Sequence, residues 1–200
     1  RITGFGGRIL GEGQPKYMNS PESPVFSKSR QLFGLYPHRE RIRKLRRALV
    51  VEGNFDLLLL AVHGIENVVA PLGTALTREH VHALRNYCDE VILLFDADAA
   101  GLKAAMRSIP FFLEESLEGR VALLPKGHDP DSFVREQGRA AVEDLAEKAL
   151  PLAEFALDRL IADHGLTLGG KARIVQELKP LLQAAAKREQ RELMTAHFAA

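Results

Sequence analysis

The sequence lacks the features of a secreted, membrane-spanning or zinc-binding protein. Its single cysteine, Cys88, cannot form an internal disulfide and agrees with a reducing cytoplasm. No apolar run reaches the roughly 18 residues of a membrane helix and no signal peptide is recognisable, so we expect a cytoplasmic protein without a membrane partner. The seven histidines form no zinc-ligand pattern. The missing initiator methionine suggests a fragment of a longer chain.

Charge is distributed unevenly along the chain, although the net charge is only +1. The first 50 residues carry 11 Lys and Arg against three Asp and Glu, whereas residues 51–150 carry nine against 17. Such an asymmetry is expected when a basic region binds a polyanion beside an acidic region that binds cations. Two solvated faces of opposite sign would give the same counts, so charge alone leaves both interpretations open.

The first 47 residues predict a small, basic α+β lobe. Apolar and turn residues surround a Gly-rich loop over residues 1–20, which predicts a β-hairpin. A short helix is expected at 27–35, followed by a basic helix at 37–47.

From residue 48 onwards the pattern is an alternation of strands and helices. Short, continuous apolar runs predict strands that are buried on both faces. The helices begin at the candidate N-cap residues Asn54, Thr77 and Asp98. This alternation predicts an α/β fold with a parallel, doubly wound sheet. The expected strands cover 48–51, 67–70, 91–95 and 121–124, and the expected helices cover 54–63, 77–87 and 99–115.

The last 50 residues predict an α-helical lobe with no evident chemistry. One helix is expected at 152–163, a second at about 171–186 after a break at Gly169 and Gly170, and a polar helix up to Phe198. Pro180 is expected to kink or interrupt the second helix. The expected division of the chain is therefore 1–47, 48–150 and 151–200.

Acidic residues follow three of the predicted strands. Glu52 follows the first strand, Asp96 and Asp98 follow the third, and Asp129 and Asp131 follow the fourth. Ligands in open α/β sheets bind beyond the carboxyl ends of the strands. Carboxylates gathered there repel one another unless a cation lies between them, and Mg²⁺ prefers such oxygen ligands. The sequence therefore predicts a magnesium site of the kind that phosphate chemistry uses.

Each acid also has an ordinary structural explanation. Asp98 can cap the helix that follows it, although this leaves Asp96 unexplained at the end of an apolar strand. Asp129 is followed by a proline, which is typical of a helix start. Glu52 can be an exposed loop residue, and Asp56 lies in a first helical turn, where the helix dipole favours an acid in any case.

Taken in order, these segments resemble a known family. Residues 50–56 (VVEGNFD) look like the glutamate motif of the TOPRIM domain, and residues 95–101 (FDADAAG) look like its Asp-x-Asp motif. More narrowly, the chain resembles the RNA-polymerase domain of bacterial replicative primases of the DnaG type over roughly residues 1–155, with weaker support in the helical tail. The supporting segments are 4–8 (GFGGR), 15–22 (PKYMNSPE), 72–76 (LGTAL) and 124–131 (LPKGHDPD).

The resemblance implies nucleotidyl transfer that builds short RNA primers on a single-stranded DNA template from ribonucleoside triphosphates. It implies that Glu52, Asp96 and Asp98 are catalytic, with Glu52 as an acid/base group. Two metal ions would activate the attacking 3′-hydroxyl and neutralise the leaving pyrophosphate. The implied ligands of Mg²⁺ or Mn²⁺ are Glu52, Asp96, Asp98, Asp129 and Asp131, with Asp56 as a supporting acid.

The resemblance also implies contacts to other molecules. The lysines and the asparagine that match the family's hairpin region, Lys16, Asn19 and Lys28, would contact the nucleoside triphosphate or the nucleic acid. A replicative helicase would bind through a domain that is absent from this chain, and no zinc-binding module precedes residue 1.

Three positions depart from the family pattern. Asn54 stands where an aromatic residue is common, Pro71 where a small polar residue is usual, and Ala97 where glycine is usual between the two aspartates. A β-carbon at position 97 would crowd the backbone if a positive φ were needed there.

Two other functions share part of this pattern. A metal-dependent nuclease of TOPRIM type would use the same acids, and a non-catalytic TOPRIM scaffold would bind DNA without needing them. Retention of all the acids argues against the scaffold. A type IA topoisomerase is disfavoured because none of the three tyrosines lies in a separate domain that could carry a cleaved strand.

Overall fold

The computed structural model of the chain describes residues 2–9, 14 and 17–199. Near its start, β1 (Gly6–Arg8) and β2 (Tyr17–Asn19) pair in antiparallel fashion and form a two-stranded sheet. The β-hairpin expected from the alternation of turn and apolar residues is therefore confirmed.

A six-stranded sheet forms the centre of the described structure, in the order β3-β5-β4-β6-β7-β8. The four inner strands are parallel, as the alternating pattern predicted, whereas the two-residue edge strands β3 and β8 run antiparallel to their neighbours. The sheet is therefore mixed at its edges. Its strands are β3 (Leu32–Phe33), β4 (Arg47–Val50), β5 (Val68–Pro71), β6 (Glu90–Phe95), β7 (Glu118–Leu123) and β8 (Leu150–Pro151).

Helices cover both faces of this sheet. Their bounds are α1 (Leu35–Leu45), α2 (Asn54–Val62), α3 (Arg78–Leu84), α4 (Ala99–Glu115), α5 (Pro130–Glu147), α6 (Leu152–His164), α7 (Leu168–Ala184) and α8 (Arg188–Ala199). No helix in the described part of the chain is long and apolar enough to cross a membrane.

Successive strand residues point to opposite faces, which divides the core in two. Leu93 belongs to a hydrophobic cluster that includes side chains of α1, α3, α4, α6 and α7, whereas its neighbours Ile92 and Leu94 belong to a second cluster with side chains of α2 and α5. All three side chains are fully buried. Continuous apolar runs, rather than alternating ones, are required by this double coverage.

Several local expectations were wrong. The expected helix at 27–35 is instead a turn followed by β3, because Leu32 and Phe33 pair with Pro71 and Ala70 of β5. Gly34, with φ of 83°, then leads into α1.

Three details of the helices also differ from the expectations. Asn54 is the first residue of α2, and its neighbour Gly53 is the N-cap. The glycine pair 169–170 does not break the chain but lies in the first turn of α7, where Thr167 caps the Gly170 N–H. Pro180 lies inside α7 and does not interrupt it, so of the two expected outcomes, a kink or an interruption, the interruption is wrong. By contrast, Thr77 and Asp98 cap α3 and α4 as expected.

The chain reverses direction across the sheet between β4 and β6. From β4 it passes outward to β5, then returns to β6 on the other side of β4 and continues to β7. Adjacent strands whose connections leave in opposite directions form a topological switch point, where ligands of open α/β sheets bind.

Candidate metal centre

The acids expected at strand ends lie at this switch point. Glu52 follows β4 after one intervening residue, and Asp96 directly follows β6, which is the parallel neighbour of β4. The loop after β7, the next strand, carries Asp129 at the start of α5. Parallel strands end at the same edge of a sheet, so one edge gathers the three acidic segments.

These carboxyl groups lie close enough together for the charge of one to raise the pKa of another. Burial raises the pKa of Glu52, and the negative charges of Asp96 and Asp98 raise it further. Burial likewise raises the pKa of Asp96, with added repulsion from Asp98 and Asp129. Carboxylates that disfavour one another's ionisation favour a cation between them.

Asp56 extends this coupling to the first turn of α2. Burial, followed by the charges of Asp129 and Asp96, raises its pKa from 3.8 to about 6. Its Oδ2 accepts a 3.1 Å hydrogen bond from the Gly53 N–H, which fixes the turn that follows Glu52. Asp56 therefore positions this loop and belongs to the acidic group.

Asp98 and Asp129 cap helices, which was the ordinary structural role expected for each of them. Asp98 Oδ1 accepts a 2.8 Å hydrogen bond from the Gly101 N–H. Asp129 Oδ1 accepts a 2.7 Å bond from the Ser132 N–H, and this backbone bond lowers the pKa of Asp129. Capping engages one face of a carboxylate and leaves other lone pairs available.

Asp131 differs from the other acids because it is already paired. Both of its carboxylate oxygens accept bonds of 2.6 Å from Arg135, one helical turn later. A cation at this position would compete with the guanidinium, so the structure gives Asp131 less reason to be a ligand than Glu52 or Asp96.

Glu52 and Asp96 are the acids with no such engagement. Among the described residues, neither carboxylate has a hydrogen-bond or ion-pair partner. The structure brings together no three His, Cys, Asp or Glu side chains that could hold a metal ion by themselves, again among the residues described. Mg²⁺ does not need such a cage, since it is usually bound by one or two carboxylates together with water and substrate phosphates. The donor set therefore fits a hard divalent cation that is completed by a phosphate ligand.

The three residues predicted to contact nucleotide or nucleic acid are Lys16, Asn19 and Lys28. Lys16 lies outside the described residues. Asn19 uses its side-chain N–H to donate a 3.2 Å hydrogen bond to the Leu72 carbonyl, which ties β2 to the loop after β5. Lys28 lies in the turn before β3, is half-buried, and forms no ion pair with a described residue.

A cavity of about 990 Å³ adjoins the acids and was not anticipated from the sequence. Glu52 and Asp56 lie on its wall, together with the exposed cation Arg30 and the aromatic rings of Tyr36 and Phe55. These residues come from separate turns and helices, so no local pattern could have linked them.

Asn54 and Ala97, which differ from the residues usual in the family pattern, cause no backbone strain at the site. Ala97 has no positive φ, so its β-carbon does not cause the crowding that a left-handed conformation would produce. Asn54 is half-buried on the cavity wall, and its Oδ1 is buried without a hydrogen-bond partner.

Family models match three successive parts of the chain. A Toprim-like model matches residues 49–134, and a model described as the DNA primase catalytic core, N-terminal domain, matches residues 1–39. A model described as the DnaB-helicase binding domain of primase matches residues 153–200. This last match lies inside the chain, whereas the resemblance seen in the sequence implied a helicase contact in a domain absent from it.

Curated relatives are similar over most of this chain. A DNA primase of Pseudomonas aeruginosa is 43% identical over 199 residues, which are 97% of this chain and 30% of the relative. A DNA primase of Escherichia coli K12 is 42% identical over 186 residues, which are 91% of this chain and 32% of the relative. The chain thus spans about a third of the length of these relatives.

Solved structures show the same fold. A DNA primase domain from Pseudomonas aeruginosa has a TM-score of 0.93 and 41% identity, and the match covers 100% of this chain and 64% of that one. A DnaG primase catalytic domain bound to single-stranded DNA has a TM-score of 0.89 and 38% identity, and the match covers 100% of this chain and 66% of that one.

Proposed function

This chain belongs to the bacterial DnaG-type DNA primases, as a part of their catalytic core that contains the TOPRIM domain, and we propose that it synthesises short RNA primers on single-stranded DNA. The observation that carries the proposal is the pair Glu52 and Asp96. These carboxylates, of which Glu52 is exposed and Asp96 half-buried, lie beyond adjoining parallel strands, repel each other and have no hydrogen-bond or ion-pair partner among the described residues.

We propose that Mg²⁺ or Mn²⁺ is the metal of this site. Glu52, Asp96 and Asp98 would hold it, and Asp129 and Asp131 would complete or adjust its surroundings. When bound, divalent cations activate an attacking hydroxyl and neutralise the charge of the leaving pyrophosphate. The coupled carboxylates support this assignment because a cation would relieve their repulsion.

Glu52 is suited to accept the proton of the attacking 3′-hydroxyl. Its carboxylate has no hydrogen-bond or ion-pair partner among the described residues, so it keeps lone pairs that can accept a proton. Asp56 supports this role by holding the Gly53 N–H, which fixes the backbone immediately after the glutamate.

The basic first lobe would bind the other reactants. Lys16, Asn19 and Lys28 are proposed contacts to the nucleoside triphosphate or the template, and the excess of positive charge in residues 1–50 supports a polyanionic ligand. The division into 1–47, 48–150 and 151–200 would then separate substrate binding, metal binding and a helical lobe.

We also propose that the helical lobe contributes to contact with the replicative helicase. The family match at residues 153–200 supports this partner. We likewise propose a place in the cytoplasmic replication machinery, which the membership in the primase family supports.

A single pair of reactions tests the proposed activity. The 200-residue chain is incubated with Mg²⁺ or Mn²⁺, ribonucleoside triphosphates and single-stranded DNA, with the label on the nucleotide in one tube and on the DNA in the other. Metal-dependent, alkali-labile labelled oligomers that require the template are expected. Cleaved DNA without oligoribonucleotide would instead identify a nuclease, and DNA binding without either product would identify a scaffold.

A further inference from the structure

His80 is a fully buried histidine outside the acidic site, with 0% of its surface exposed. It lies in the first turn of α3 and joins this helix to the turn at residues 28–30, which belongs to the basic lobe. A polar ring that is buried this completely requires specific partners on both nitrogens.

The partners of His80 define which nitrogen carries the proton. Its Nε2 lies 2.9 Å from the backbone carbonyl oxygen of Lys28, which can only accept. Its Nδ1 lies 3.2 Å from the Thr77 N–H, which can only donate. The ring is therefore neutral and carries its proton on Nε2, in agreement with the lowering of its pKa by burial.

A second hydrogen bond strengthens the same connection. The Thr77 hydroxyl donates to the backbone carbonyl of Ser29 over 2.6 Å. Thr77 and His80 thus cap α3 and at the same time hold two successive carbonyl groups of the turn. One helix N-terminus fixes the backbone on both sides of the bond between Lys28 and Ser29.

The backbone of Lys28 is fixed from its other side as well. Its N–H donates a 2.9 Å hydrogen bond to Glu22 Oε1. Its half-buried side chain, by contrast, forms no ion pair with a described residue. The backbone is held firmly while the ammonium group stays available for an external anion.

We infer that His80 is a positioning residue, whose Nε2–H holds the Lys28 carbonyl so that the lysine presents its ammonium group to a phosphate of the nucleic acid. The inference rests on the proposed function, which assigns Lys28 to nucleotide or template binding. Because His80 is fully buried, its effect on binding would pass through the backbone of Lys28.

Two variants of similar size separate positioning from a general effect on folding. The amide of glutamine reaches about as far as Nε2 and can still donate to Lys28, so His80→Gln retains the connection. The amide of asparagine reaches only the position of Nδ1, so His80→Asn keeps the contact to Thr77 and loses the one to Lys28. Both variants are compared with wild type, Lys28→Ala and the double variant His80→Asn/Lys28→Ala.

The measurement is the affinity for a labelled single-stranded oligonucleotide at several salt concentrations. Removal of one phosphate contact reduces the slope of log affinity against log salt by about 0.7 for single strands. Lys28→Ala should show this reduction and a loss of affinity of about three- to tenfold, which is the range of a single hydrogen bond or ion pair. His80→Asn should show the same two changes although it removes no charge, and His80→Gln should resemble wild type.

The double variant decides the inference. If His80 acts through Lys28, the double variant binds no more weakly than Lys28→Ala alone. If the loss of affinity in the double variant equals the product of the losses in the two single variants, the inference is overturned and the role of Lys28 stays intact. An unchanged salt slope in His80→Asn would have the same consequence. A Lys28→Ala variant that binds like wild type would overturn both. Because binding requires no turnover, the absence of primer synthesis would count against the proposed function without altering this result.

Discussion

A β-carbon at Gly101 would lie 2.2 Å from the backbone carbonyl oxygen of Asp96. The first turn of α4 can therefore pack against the end of β6 only because position 101 has no side chain. The same glycine donates its N–H to Asp98, so one residue sets the geometry of both aspartates of the Asp-x-Asp motif.

Gly101→Ala should destabilise the protein and impair the metal site together. The added methyl group meets a backbone atom that cannot rotate away, and overpacking of this kind costs about 1–3 kcal/mol. Gly169→Ala is the matched control, since Gly169 lies in the first turn of α7 and an added β-carbon there meets nothing within 4 Å. Thermal unfolding should show a lower Tm for Gly101→Ala and an equal or higher Tm for Gly169→Ala. Equal stability of the two variants would show that the backbone at Asp96 adapts.

Asp96→Asn should have opposite effects on stability and on metal binding. Without metal, the loss of one negative charge relieves the repulsion of Asp96 by Asp98 and Asp129, so the Tm should rise. The rise should be only about 1–3 °C, because the side chain is partly exposed and solvent screens the charges. With Mg²⁺, the wild-type protein should gain stability that grows with the logarithm of the Mg²⁺ concentration above the dissociation constant, and the variant should lose most of this gain.

Differential scanning fluorimetry with and without Mg²⁺ measures both effects. Asp158→Asn serves as the control, because Asp158 is an exposed aspartate on α6 without an ion pair among the described residues. It should keep the full magnesium response. A magnesium response in Asp96→Asn as large as that of wild type would exclude Asp96 as a ligand.

Asp56 should make the metal-free protein less stable as the pH rises. Its pKa in the folded protein is about 6, above the ordinary 3.8, so the folded state binds its proton more tightly than the unfolded state does. This stabilisation is complete below about pH 4 and is lost as the pH rises to about 6. The Tm of Asp56→Asn should fall less than that of wild type between pH 4 and 6, and the variant should be the more stable protein at pH 7. If the Tm of both proteins fell equally over this range, the raised pKa of Asp56 would be contradicted.

The central sheet was predictable because parallel strands buried on both faces leave a strong sequence signal. The continuous apolar runs of β4 and β6 predicted parallel strands, and the acids that follow them were expected at one edge of the sheet, where the structure places them. The edge strands β3 and β8 were missed because two residues carry no periodicity. Their positions depend on pairing with β5 and β7, which is a tertiary effect.

The sequence predicted the residues of the proposed site, Glu52 and Asp96 among them, but not how these residues interact. The capping roles that it offered for Asp98 and Asp129 are confirmed. It did not predict that Arg135 engages Asp131, or that Asp56 is coupled to Asp129 across two helices. The link between His80 and Lys28 spans 52 positions and was equally inaccessible. Such relationships depend on how loops from different strands meet, which local patterns do not encode.

An anomalous-scattering map from crystals soaked with Mn²⁺ and a nucleoside triphosphate would locate the metal of this site directly. At least one manganese peak is expected between Glu52 and Asp96, with Asp98 in its surroundings and a phosphate oxygen among its ligands. Soaked crystals of Asp96→Asn should lose this peak. Full manganese occupancy elsewhere, with Glu52 and Asp96 left free in the presence of nucleotide, would contradict the central claim that these strand-end carboxylates hold the catalytic metal.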